Sequence, residues 1–119
     1  MKRTIIFTAA LSSLATLAAV WAAGGAVLPS RVKLDNAKVV VREVSSGPGV
    51  PRDRHIRAHD QVIVFLDDCK YQRTDSQTGA KEVRQRKSGD VIWHNKGEDA
   101  PVLVNLGTKP YRTLVIELK

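Results

Sequence analysis

The sequence predicts an all-β barrel or sandwich that follows an apolar N-terminal segment. From residue 32 onward, short runs of alternating or β-branched apolar residues recur, and turns rich in Gly, Pro, Asn or Asp separate them. No helical periodicity follows the N-terminal segment. Regular short strands with turns between them are typical of antiparallel sandwiches and barrels.

The first 26 residues have the pattern of a secretory signal peptide. Lys2 and Arg3 form a basic start, residues 4–30 carry no charge, and small residues from Ala22 to Ala26 close the segment. This order predicts cleavage within 22–26 and a domain of residues 27–119. An uncleaved anchor is the alternative, because about 20 apolar residues span a bilayer. We expect an exported protein, periplasmic or secreted, that contacts a membrane only if the segment stays attached.

The strand candidates follow one another with short turns. The run 62–66 is apolar on both faces, which predicts a strand covered on both sides. Trp93 lies at an apolar strand position and is predicted to be in the core. Residues 98–101 are predicted to be irregular. The expected strands are 32–34, 38–44, 54–58, 60 or 61 to 67, 70–74, 81–87, 91–94, 102–106 and 111–118.

The positive charge of the chain is scattered. There are 19 Lys and Arg against 12 Asp and Glu, a net charge of +7, which becomes +5 without Lys2 and Arg3. Nucleic-acid surfaces combine a basic stripe with aromatic residues, but aromatic residues make up only 5% of this chain. We predict no nucleic-acid partner and assign the basic residues to solvated strand faces, with an anionic lipid or acidic partner as the alternative.

Cys69 is the only cysteine, so the chain forms no internal disulfide. No base lies beside it in the local sequence. We therefore predict a packed, inert thiol at the end of a strand.

Residues 49–68 carry a family resemblance. This stretch begins at Gly49, presents His55-Ile56-Arg57 and then Gln61, and continues into the apolar strand. Later the chain has Gly89, then Asn95-Lys96-Gly97 and Asn105 at related spacing. These segments resemble the two motifs of the cupin superfamily over about residues 32–118. The resemblance implies a cupin-type double-stranded β-helix, or jelly-roll, barrel. It also implies a homodimer, because many small cupins pair through their sheets.

The metal ligands of cupins are mostly replaced. Cupin motifs typically supply three histidines and a carboxylate, but here only His55 keeps a ligand, while Arg57 and Gln61 occupy two other places. Arginine stays protonated and has no lone pair to give. The last histidine place holds Ala100 or Pro101. We predict no metal and no cofactor.

A remodelled metal site is the rival interpretation. A dioxygenase- or isomerase-type enzyme would use His55, His59, His94 and Gln61. Four residues of extended strand place His55 and His59 about 13 Å apart, which is too far for them to share an ion. Metal-free acid–base catalysis by His55 would need an ordering partner, and the local sequence offers none.

His55, Arg57 and Gln61 are the predicted ligand-binding residues, and no catalytic residue is predicted. An arginine that points into the barrel needs a partner. A bound carboxylate or phosphate could supply it through bidentate hydrogen bonds. We therefore expect a protein that binds a small anionic ligand or a protein partner rather than an enzyme. The alternative is that the protein itself supplies the carboxylate, from Asp53, Asp60 or Glu98.

Overall fold

The computed structural model describes residues 28–119, and this part of the chain is built from strands and turns. The predicted signal segment, residues 1–26, lies outside the described residues. Between residues 28 and 119 there is no helix of the length and apolarity that crossing a bilayer requires. The strands are β1 (Ser30–Asp35), β2 (Val39–Ser46), β3 (Pro51–Arg52), β4 (His55–Ile56), β5 (Asp60–Phe65), β6 (Cys69–Thr74), β7 (Lys81–Arg86), β8 (Val91–His94), β9 (Asp99–Ala100), β10 (Val102–Asn105) and β11 (Tyr111–Leu118).

Two antiparallel sheets and a small strand pair form the barrel. The larger sheet has the order β1-β2-β11-β5-β8, the second β3-β10-β6-β7, and β4 pairs with β9. The last strand, β11, lies at the centre of the larger sheet between β2 and β5. The all-β prediction is confirmed. Most strand positions were also predicted, with ends that differ by one or two residues.

The main local difference concerns the predicted strand 54–58. Only His55–Ile56 belongs to a strand, and it pairs with Asp99–Ala100, which was predicted to be irregular. The backbone N–H of Arg57 then donates to the carbonyl of Glu98, and the N–H of Gly97 donates to the carbonyl of Arg57. Gly97 permits this tight return because its φ of 86° is in the left-handed region.

Strand β5 shows which face of the larger sheet is covered. Gln61, Ile63 and Phe65 are buried, whereas Val62 and Val64 are only half-buried. The prediction that both faces are covered is therefore wrong for the outer face within the described chain. The prediction that Trp93 lies in the core is also wrong. Its register partner is Val62, on the outer face, and Trp93 is 50% exposed.

An aromatic cluster fills one end of the barrel. The rings of Phe65, Tyr71 and Tyr111 lie with centroids 6.3 Å apart, and those of Phe65 and Tyr71 are parallel within 3°. Ile63 completes the cluster of buried residues. Because Tyr71 comes from the second sheet and the others from the larger one, this cluster holds the two sheets together. Burial of each such side chain contributes about 1.5–3 kcal/mol.

Candidate ligand-binding site

A cavity of about 480 Å³ lies between the sheets. Its volume is within the range of small-molecule pockets, about 300–1,000 Å³. The structure brings the three predicted ligand-binding residues, His55, Arg57 and Gln61, together in its wall. Tyr111 contributes to the wall as well as to the aromatic cluster, so the cavity begins where the packed core ends.

Strand alternation selects the side chains that face the cavity. On β5, Gln61 and Ile63 point inward, and their register partners on β11 are Glu117 and Val115. Side chains at i and i+2 share one face of a strand. The period-two pattern of β5 and β11 therefore places alternating polar and apolar groups along one wall.

Arg57 is the most buried cation of the site, with 5% of its surface exposed. Its Nη1 donates a hydrogen bond of 3.0 Å to Oε1 of Gln61, which is equally buried. Its Nε–H is buried and has no acceptor within residues 28–119. Burial, the main cause, lowers the pKa of Arg57. The guanidinium donates a hydrogen bond to a neutral amide, while Glu98 and Asp99 act on its charge from beyond ion-pair distance.

The structure provides no carboxylate for Arg57. No Asp or Glu among residues 28–119 lies within the 4.0 Å of an ion pair. Asp60 accepts the backbone N–H of Lys96 at 2.8 Å, and Glu98 contacts His94 at 2.8 Å. For the described residues, the interpretation that Asp53, Asp60 or Glu98 pairs with Arg57 is wrong.

Arg52 is a second inward cation that the sequence interpretation missed. It was assigned to a solvated face, yet it lines the cavity, and its Nη2 donates to the carbonyl of Pro101. Its Nε–H is buried without an acceptor in the described chain. Burial, with a further effect from the charge of Arg57, lowers the pKa of Arg52 to about 10. Pro101, one of the two residues predicted for the last cupin histidine place, thus contributes its backbone to an arginine.

Arg42 and Arg54 differ from these two because each has a carboxylate. Nη2 of Arg42 lies 3.8 Å from Glu117, across the β2–β11 pair. Nε of Arg54 lies 2.6 Å from Asp99, at the exposed rim. No local sequence signal separates Arg52 from Arg54, which are two residues apart. The distinction depends on which distant segment each one meets.

The histidines do not form a cluster. His55 lies at the exposed rim, with Nδ1 3.5 Å from the carbonyl of Asp53. His94 lies opposite Gln61 in the β5–β8 register, which places it on the inward side of the sheet, and it contacts Glu98. Burial is the largest effect on both imidazoles, and it lowers the pKa of each. Burial therefore favours the neutral form of both rings.

The residues of the site do not fit a divalent metal. Across residues 28–119, no three His, Cys, Asp or Glu side chains converge closely enough to hold an ion. Arg57 brings a positive charge to this wall, and its Nη1 already engages the oxygen of Gln61. A guanidinium repels a cation and offers it no lone pair. What this arrangement offers a ligand is hydrogen-bond donors and positive charge.

The fold is that of solved cupin structures. No protein-family profile matches the chain, and no curated protein matches it either. A cupin domain from Bordetella pertussis has a TM-score of 0.69 and 20% identity, covering 81% of this chain and 97% of that chain. The polyketide cyclase RemF from Streptomyces resistomycificus has a TM-score of 0.61 and 18% identity, covering 75% and 63%.

A third solved structure is named for the same architecture. An uncharacterised Klebsiella pneumoniae protein with a double-stranded β-helix domain has a TM-score of 0.58 and 20% identity, covering 79% of each chain. The described part of the chain therefore has the cupin fold, a double-stranded β-helix barrel. At these identities the likeness concerns the fold alone, and any function must be argued from the site.

Proposed function

We propose that this chain is an exported cupin-fold protein that binds a small anionic ligand in its barrel rather than catalysing a reaction. One observation carries the proposal: Arg57 is 5% exposed, lines a cavity of about 480 Å³ and has no carboxylate partner in the described chain. Burying an unpaired charge costs several kcal/mol. A carboxylate or phosphate in the cavity would offset that cost through charge-assisted hydrogen bonds.

A thermal-shift series tests ligand binding. Purified protein is heated with succinate, citrate or inorganic phosphate, and the same series is run on Arg57→Met. Arg84→Met is the matched control, because Arg84 lies on β7 outside the cavity and pairs with Glu82 at 3.0 Å. A ligand at about 100 times its Kd stabilises the folded state by about 2.7 kcal/mol. An equal response in wild type and Arg57→Met would contradict binding at this arginine.

Metal analysis of the same preparations addresses the rival function. Iron, manganese, nickel or zinc at one equivalent, lost on His55→Ala, would favour a metal-dependent enzyme over the proposed binding protein.

Export is tested separately by expressing the full chain and sequencing the N-terminus of protein recovered outside the cytoplasm. A mature end within residues 23–27 is expected, and an intact Met1 in the membrane fraction would instead indicate an anchor.

We also propose that the outer face of the larger sheet binds a second copy of the chain. Its central apolar residues are Val62 and Val64, flanked by Leu114 and Ile116 on β11, and Trp93 on β8. Trp93 is 50% exposed in the single chain. Five strands that lie about 4.8 Å apart and are about 20 Å long give a flat sheet area of roughly 480 Å² per copy, not counting the projecting side chains. Two such faces bury roughly 1,000 Å², which reaches the lower limit for a specific interface.

The charges at the edges of this face favour a copy over an acidic or basic partner. Glu43 is contacted by Lys33 at 3.5 Å, and Arg112 pairs with Asp67 at 3.0 Å. Arg31 also lies 3.8 Å from Glu43, so these edges carry ion pairs with one extra cation and no extended field of one sign for an oppositely charged partner. An apolar face can also pack against the identical face of a second copy about a two-fold axis.

Sedimentation of wild type and Trp93→Lys tests the pairing. A dimer is expected for wild type and a monomer for Trp93→Lys, while Arg84→Met remains a dimer. After removal of residues 1–26, Trp93 is the sole tryptophan, so its fluorescence reports burial of this face directly. A wild-type monomer at concentrations up to about 100 μM, or a dimeric Trp93→Lys, would refute this proposal.

A further inference from the structure

We propose that the ligand of the barrel is a dianion with an apolar body, such as an aryl or alkyl phosphate or phosphonate. The inference rests on the proposed anion-binding function and specifies its ligand. Two features of the cavity carry it. One is the number of arginines left without a carboxylate, and the other is the composition of the rest of the wall.

Two of the four arginines of the wall have no carboxylate in contact within residues 28–119. Four arginines line the cavity, but Arg42 lies beside Glu117 and Arg54 beside Asp99. Arg52 and Arg57 have no such partner among residues 28–119. The remaining carboxylate of the wall, Asp53, is exposed and forms no ion pair with a described residue, so solvent screens it. A ligand of charge −2 can pair with both Arg52 and Arg57, whereas a monoanion leaves one of them without a partner in contact.

The two free guanidinium groups also act on each other. The charge of Arg57 is the largest electrostatic effect on Arg52 after burial. Glu98 and Asp99 attract the charge of Arg57 from a distance, but neither lies within ion-pair distance of it. Nη1 of Arg52 and Nη2 of Arg57 are not engaged by the contacts to Pro101 and Gln61, and a tetrahedral dianion bound between the two arginines would accept from these groups.

Part of the wall is apolar and favours a ligand with more than a charged head. Val44, Ile63, Leu103 and Val115 line the cavity together with the ring of Tyr111. Inorganic phosphate would leave these side chains facing water. A hydrocarbon or aromatic body attached to the anion would cover them, and apolar contact strengthens binding in proportion to the area removed from water.

Three probes separate charge from apolar contact. Phenylphosphonate and benzenesulfonate share a phenyl ring and a tetrahedral head, but above about pH 8 the first is a dianion and the second a monoanion. Methylphosphonate keeps the dianionic head and lacks the ring. Binding is measured by isothermal titration calorimetry on the full chain, with wild type, Arg52→Met, Arg57→Met and the control Arg84→Met.

Phenylphosphonate is expected to bind about tenfold to a hundredfold more tightly than benzenesulfonate and more tightly than methylphosphonate by a similar factor. Either cavity variant should abolish the preference for the dianion, and Arg84→Met should keep it. Equal affinity for phenylphosphonate and benzenesulfonate, reduced in Arg57→Met, would overturn the dianion and leave anion binding in place. Absence of binding by all three probes at about 10 mM would overturn both proposals.

Discussion

Replacing Arg57 by Met and Gln61 by Leu together is expected to stabilise the ligand-free protein by about 1–4 kcal/mol. Both side chains are 5% exposed and are linked by one hydrogen bond of 3.0 Å. Substitutions that replace a buried charged group and its polar partner by apolar residues of similar volume are often stabilising. Such a gain is what the proposed anion-binding site predicts, because the buried charge would then be kept for a ligand.

The magnitude follows from the contacts of the two side chains. The double change removes one charge-assisted hydrogen bond, which contributes about 1.5–3 kcal/mol. It also removes the unpaired Nε–H of Arg57, worth about 1–3 kcal/mol, and a desolvation cost of several kcal/mol for the guanidinium. Repulsion from Arg52 disappears as well, and so does the attraction of Glu98 and Asp99, each of which affects Arg57 less than burial does. The removed costs exceed the lost hydrogen bond by a few kcal/mol.

The single variant Arg57→Met separates the contribution of Arg57 to stability from that of Gln61. Arg57→Met alone leaves Oε1 of Gln61 buried without its donor, which costs about 1–3 kcal/mol. Its stability should therefore lie close to that of wild type. Arg84→Met, at a partly exposed position outside the cavity, should remain within about 0.5 kcal/mol of wild type.

Urea unfolding followed by circular dichroism measures these differences in the free energy of unfolding. For a domain of this size, each kcal/mol corresponds to a shift of about 4–8 °C in Tm. A loss of about 3–5 kcal/mol in the double variant would refute the reasoning, because that is the cost of breaking a compensated buried pair. It would show that the protein itself neutralises Arg57.

Three further predictions concern the rest of the domain. Asn105→Ala should lower the free energy of unfolding by about 2–4 kcal/mol, because the buried amide of Asn105 donates to the carbonyls of Ser46 and Lys109. Urea unfolding measures the change, and a change below about 0.5 kcal/mol would contradict the prediction. Stability should fall as the pH drops below 6.5, because burial holds the pKa of His55 and of His94 below that value and the unfolded chain then binds more protons; a His55→Gln/His94→Gln variant should lose part of this slope. Cys69 should react slowly with iodoacetamide at about pH 8 in the native state, because burial raises its pKa to about 11; rapid labelling of folded protein would contradict it.

Much of the fold was determined by the sequence alone. Alternating β-branched residues separated by turns predicted the strands, since a strand presents successive side chains to opposite faces. The spacing of Gly49, His55, Arg57 and Gln61 indicated the cupin architecture. It also predicted a cavity wall in which an arginine and an amide replace ligands. These features depend on residues close together in the chain.

Only the tertiary structure decided the partners across the barrel. Arg52 and Arg54 are two residues apart, yet one meets the carbonyl of Pro101 inside and the other meets Asp99 at the rim. Trp93 fits a core pattern, but its parity with Val62 places it on the outer face. Local periodicity fixes which residues share a face. Pairing between strands far apart in sequence decides which face is covered and which charges remain without a partner.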